Sequence, residues 1–140
     1  MDDVMQIGAV ATRVGLSLRT LRHWDEIGLV TPSERSPGGF RLYTEPDVER
    51  LLLVKSMKPL DFPLDQIREL VELITALSAD PPPDAAATED MLKRLGMYRA
   101  ATDSRIESLR AQLHGLDSLS QNLRSLANTT ARRAGPTRRP

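Results

Sequence analysis

The sequence predicts a mainly α-helical chain, a winged helix-turn-helix domain followed by one long helix, on three observations. Two short amphipathic stretches, 6–14 and 18–27, meet at a glycine turn. A reversal, Ser36-Pro37-Gly38-Gly39, leads into the alternating Phe40-Arg41-Leu42-Tyr43. Beyond three consecutive prolines, Pro81 to Pro83, leucines recur at three- and four-residue spacing as far as Leu126.

In the first stretch Ile7, Val10, Ala11 and Val14 fall on one helical face. Gly15 ends it as a glycine past a helix C-terminus does. Ser17 stands where an N-cap is expected, and Leu21 is the anchor of the second helix. Gly28 closes that helix, Leu29 and Val30 read as core, and Pro32 blocks further helix. The glycine reversal and the strand after it make a hairpin, which must pack on the helices to persist. Arg41 and Tyr43 share one strand face, and Phe40 is assigned to the core. Thr44 and Asp47 have the spacing of a capping box before a helix that runs to about Lys58. Pro59 stops it. Pro63 starts another, with Leu64, Ile67, Leu70, Val71, Ile74 and Leu77 on one face.

These elements set the expected organisation. Residues 1–78 form the winged helix-turn-helix domain and 79–87 a stiff proline-rich linker. Residues 88–128 form the dimerisation helix, and 129–140 a basic, disordered tail. A helix of about 39 residues spans about 58 Å. Its narrow seam, made by Leu92, Leu95, Ile106, Leu109, Leu113, Leu116 and Leu123, has too little area for a core of its own. It calls for another helix, most simply its own copy. Arg99, Thr102 and Ser120 interrupt the seam, and Leu119 and Leu126 shift it toward the C-terminus.

With 19 basic and 19 acidic side chains in 140 residues, net charge decides nothing. Distribution does: residues 10–24 hold Arg13, Arg19 and Arg22 and no acid, and the C-terminus adds Arg132, Arg133, Arg138 and Arg139. Local basic spots are what nucleic acid requires. Absence of cysteine excludes disulfides, thiolate metal sites and thiol redox chemistry. No apolar run reaches the roughly 18 to 20 residues of a membrane span. No signal peptide is visible, so a cytoplasmic location and no membrane partner are expected.

Early residues of the second helix in such a unit face base edges in the major groove. Ser17, Arg19, Thr20, Arg22 and His23 are therefore the candidate DNA contacts there. Arg19 suits a bidentate contact to guanine, and Arg22 or His23 can reach phosphate. In the wing, Arg35, Gly39, Arg41 and Tyr43 are the candidates: glycine permits close approach, arginine brings charge and the tyrosine hydroxyl a donor. Read blandly, the same residues are a solvated helix face and a structural hairpin.

Many positions together carry a more specific likeness: Ile7-Gly8, Val10-Ala11, Gly15-Leu16-Ser17, Arg19-Thr20-Leu21-Arg22, Asp25, Gly28-Leu29, Pro32, Arg35, Gly39-Phe40-Arg41, Tyr43 and Asp47-Val48. They continue through Lys58-Pro59-Leu60-Asp61-Phe62-Pro63 to Leu70. Over about residues 6–75 the chain resembles the MerR family of bacterial transcription regulators. The resemblance implies a winged-helix DNA-binding domain, and a long helix pairing as an antiparallel coiled-coil homodimer. It implies binding to pseudo-palindromic double-stranded promoter DNA, which is distorted so that RNA polymerase engages both promoter elements. It places Lys58 in a second wing. Two departures stand out. His23-Trp24 occupies the place of a frequent tyrosine pair, and Leu60-Asp61-Phe62-Pro63 that of a Leu-Gly-Phe turn.

No cofactor and no metal are expected. Metal-sensing relatives use cysteines at the end of the dimerisation helix, and His23 and His114 lie on different elements. Control then rests with no effector at all, a pocket lined by residues such as Leu77, Met91 and Tyr98, or a protein reading the tail or linker. An enzyme is not expected, since no nucleophile–base set or phosphate loop is visible. The alternative to a promoter-specific regulator is an architectural or chromosome-organising protein using the same winged helix. A third reading is an adaptor whose winged helix no longer binds DNA.

Overall fold

A computed structural model describes residues 3–135. Its element order is β1 (Met5–Gln6), α1 (Ile7–Val14), α2 (Leu18–Glu26), β2 (Glu34–Arg35), β3 (Arg41–Tyr43), α3 (Glu45–Met57), a 3₁₀ turn (Lys58–Leu60), α4 (Leu64–Leu77) and α5 (Ala85–Ala134). The chain divides into two compact units, Met1–Leu95 and Gly96–Pro140.

The first unit is built on α1 to α4. Gly15 takes φ 69°, and a Cβ there would stand 2.9 Å from Lys55 Nζ, which donates to Val14 O at 2.8 Å. The turn between α1 and α2 needs glycine for its left-handed backbone, while the tip of the flexible Lys55 side chain could move aside. Ser17 caps α2 as expected, its hydroxyl accepting from the Thr20 amide at 3.0 Å. Val10, Val14, Leu21 and Trp24 from these helices meet Val48, Leu51, Val54 and Met57 of α3, and Ile67, Leu70, Val71 and Leu73 of α4 complete the core.

The sheet has three antiparallel strands in the order β1-β3-β2, where the sequence suggested a two-stranded hairpin. Met5 pairs with Tyr43, and Glu34 with Leu42. β3 also packs against α1, and Tyr43 is fully buried. Phe40, expected in the core, is instead 70% exposed, because it lies in the turn before the paired residues begin.

Asp47 pins this wing to α3. Its carboxylate is fully buried and accepts from the Thr44 amide (2.9 Å), the Ser33 amide (2.9 Å) and the Ser33 hydroxyl (2.7 Å). With Thr44 it completes the capping box. Burial works to raise its pKa, but the hydrogen bonds from Thr44 and Ser33 outweigh it and hold the carboxyl below its ordinary value.

α5 is longer than expected at both ends. It begins at Ala85 because Asp84 accepts from the Ala87 amide at 2.8 Å, and three alanines follow. It runs past Asn128 to Ala134, with Arg132 and Arg133 favourably placed in the last turn and Gly135 left-handed at φ 63°. Of the expected tail, 129–134 is thus helical, and 136–140 lies outside the described residues. The two compact units divide within α5 rather than at the prolines, since Arg94 reaches Glu69 of α4 at 3.2 Å. Beyond Gly96, α5 carries Ile106, Leu109, Leu113, Leu116, Leu119, Leu123 and Leu126, all exposed.

Candidate nucleic-acid interface

The start and outer face of α2 stand open. Arg19, Arg22 and His23 are exposed, and Thr20 is half-buried with its hydroxyl 2.8 Å from that of Ser17. Ser17 therefore combines an exposed position with the cap that orients this turn. Arg19, Thr20, Arg22 and His23 share one open concavity with Trp24, Glu26 and Lys58. Lys58 Nζ sits 5.8 Å from the centroid of the buried Trp24 ring, close enough for a cation–π attraction that fixes the lysine beside α2. Arg22 also lines a second hollow with Gln6, Ile7, Gly39, Phe40 and Arg41. Arg22 thus lies between the outer face of α2 and the wing.

The wing is held by a residue to which the sequence reading gave no role. Asp25 Oδ2 accepts from Arg41 Nε at 2.6 Å and from Arg35 at 2.9 Å. Its side chain is only 9% exposed. Burial works to raise its pKa, and the hydrogen bonds from Arg41 and then Arg35 more than offset that, so the carboxyl titrates below its ordinary range. The same contact holds the Arg41 guanidinium above its usual value. Arg41 is a quarter exposed and Arg35 half exposed, so both keep donors toward solvent while one edge is tied to α2. The available signal was the acid pair Asp25-Glu26 following the basic half of α2, with arginines on both strands of the hairpin.

Tyr43 requires a correction. Its hydroxyl is enclosed with no hydrogen-bond partner among the described residues, and burial pushes the phenol above its ordinary pKa. A group so placed does not reach a phosphate. Strand parity correctly paired Tyr43 with Arg41 on one face, but that face is the inner one. Phe40, read as core, is the exposed aromatic of the wing.

Asp61 adopts a left-handed conformation with φ 56°, closing the 3₁₀ turn that begins at Lys58. This backbone costs little only without a Cβ, so an aspartate here carries strain that glycine would not. Among the described residues no group of three or more His, Cys, Asp or Glu side chains is placed to hold a metal. No helix among them is long and apolar enough to cross a membrane.

Comparison with known proteins agrees with this geometry. Residues 5–74 match the family described as MerR HTH family regulatory protein, and residues 48–126 match MerR, DNA binding. The chain is 33% identical over 112 residues to the HTH-type transcriptional activator TipA of Streptomyces coelicolor, covering 79% of this chain and 43% of that protein. It thus spans less than half of that relative's length. The HTH-type transcriptional regulator YfmP of Bacillus subtilis is 34% identical over 125 residues, covering 80% of this chain and 89% of its own. A MerR-family regulator from Bacillus cereus superposes with a TM-score of 0.56 at 25% identity, over 87% of this chain and 84% of that one. HiNmlR, a MerR family regulator lacking the sensor domain and bound to promoter DNA, gives 0.67 at 22% identity, over 91% and 94%, a likeness of fold. On the strength of both family matches, each covering half the chain or more, this chain belongs to the MerR family of helix-turn-helix regulatory proteins.

Proposed function

We propose that this chain is a transcription regulator that binds pseudo-palindromic promoter DNA as a homodimer and distorts it, acting with RNA polymerase in the cytoplasm. The observation that carries the proposal is the exposed face formed by Arg19, Thr20, Arg22 and His23 around one concavity with Lys58. A helix presenting its N-terminal half in this way enters a major groove, and flanking basic groups meet phosphate. Arg35, Gly39 and Arg41 extend the contact into the wing. The long exposed leucine seam supplies the second copy that a two-fold operator requires. A DNA reader of this kind needs no catalytic group, metal or cofactor.

A genome-wide footprint of the purified protein, followed by titration of the recovered site and of random DNA, tests this reading. Discrete palindromic footprints are expected, with Arg19→Ala losing about 1–3 kcal/mol of discrimination while the fold stays intact. Extended cooperative coverage without a defined site would instead establish the architectural role. Equal retention of the wild type, Arg19→Ala and Arg41→Ala on DNA at moderate salt would remove α2 and the wing from the interface.

A further inference from the structure

We propose that a second copy of this chain pairs with α5 in one particular antiparallel register, in which Asp103 of each copy faces Arg110 of the other; this rests on the homodimer reading above. Beyond Gly96, α5 is uninterrupted helix as far as Ala134, and Ile106, Leu109, Leu113, Leu116 and Leu123 form its exposed seam. Along one edge of that seam, at seven-residue intervals, stand Asp103, Arg110, Asp117 and Arg124, all exposed. Their signs alternate.

That alternation chooses among pairings. A parallel, in-register pair sets Arg99 against Arg99 across the seam, which repels. In an antiparallel pair the charged edge of one copy meets the same edge of the other. Where Asp103 faces Arg110, both symmetry-related contacts attract. Sliding one copy by one heptad sets Arg110 against Arg110 and Asp103 against Asp117, so every such contact repels. Sliding by two heptads restores attraction, as Asp103 to Arg124 and Arg110 to Asp117.

Position along the helix separates these two. In the proposed register the two-fold axis falls between Glu107 and Ser108, near the midpoint of α5. Ile106 then packs on Leu109, Leu92 meets Leu123, and Tyr98 lies opposite Leu119 on the other edge. The alternative moves the axis to between His114 and Gly115 and carries Leu92 beyond the Ala134 end of the opposing helix. Glu107 holds Arg110 at 3.0 Å on the same helix, and the guanidinium has donors for both acids. Exposed ion pairs add little affinity; here they separate registers that leucines alone leave close in energy.

The chain lacks cysteine, so engineered crosslinks read the register directly. In a double variant Asp103→Cys/Arg110→Cys, the two thiols of one helix lie about 10.5 Å apart, too far to join within a chain. Oxidation of the full-length protein is expected to give a disulfide-linked dimer. Asp103→Cys/Arg124→Cys and Arg110→Cys/Asp117→Cys are expected to give about tenfold less. Arg110→Asp is expected to raise the dimer dissociation constant several-fold, with Asp103→Arg in the same chain restoring it. Crosslinking dominated by either control pair, or a sedimenting dimer that forms no 103–110 link, would overturn the register. A wild-type monomer in sedimentation at micromolar concentration would overturn the homodimer reading beneath it as well.

Discussion

Arg41 Nε donates to Asp25 Oδ2 at 2.6 Å, and that same oxygen accepts from Arg35 at 2.9 Å. One carboxylate on α2 therefore gathers both strands of the wing. The wing is a short hairpin with little apolar area of its own, so its orientation relative to α2 depends on this contact. Asp25→Ala is expected to cost about 1–3 kcal/mol of stability, because it removes a largely buried acceptor of two charged donors. Equilibrium denaturant unfolding checks this; a midpoint unchanged from wild type would mean that packing alone holds the wing.

Tyr43 makes the opposite prediction. Its buried hydroxyl has no partner among the described residues, so burial costs desolvation without a compensating hydrogen bond. Tyr43→Phe keeps the ring and removes the cost. Stability is expected to stay level or rise by up to about 1 kcal/mol, with DNA affinity unchanged. A fall in affinity at unchanged stability would show that the hydroxyl reaches DNA after all.

These two residues also show what the sequence can and cannot disclose. Gly15, Ser17, Gly28 and the Thr44–Asp47 box were legible because each imposes a local backbone geometry with a small set of acceptable residues. The leucine spacing of α5 was legible for the same local reason. Which face of β3 points inward was not, since alternation shows only that Arg41 and Tyr43 share a face. The inner face was fixed by the packing of β3 against α1, a contact between elements far apart in sequence that leaves no local pattern. The Asp25 clamp joins residues 10 and 16 positions apart, and only the folded hairpin brings them together. At the ends of α5, the Asp84 cap and the last arginine-bearing turn extended the helix beyond its leucines.

Asp61 offers a test of backbone strain. At φ 56° an alanine meets the full penalty of the left-handed region, whereas glycine does not. Asp61→Gly is expected to be more stable than Asp61→Ala by about 1 kcal/mol, measured by thermal unfolding of the pair. Comparing two uncharged variants separates backbone from charge. Equal stability of the two would show that the turn rearranges rather than holding this conformation.

Asp47 ties the fold to pH. Its folded pKa lies below its ordinary value, because the gain from Thr44 and Ser33 exceeds the cost of burial. The stabilisation is therefore complete above the unfolded pKa, about 3.9, and drains away as pH falls through that value toward the folded one. Asp25 and Glu45, also lowered, contribute with the same sign. Wild-type melting temperature is expected to fall as pH drops from about 5 to 3. Asp47→Asn is expected to be less stable at neutral pH by about 1–3 kcal/mol, since an amide presents a donor where the carboxylate accepts. It is also expected to lose less between neutral and acid pH, because one of the coupled carboxyls is gone. Thermal melts of both proteins across that range check the sign. Parallel curves for the two would mean that Asp47 is not the group through which acid loosens the wing from α3.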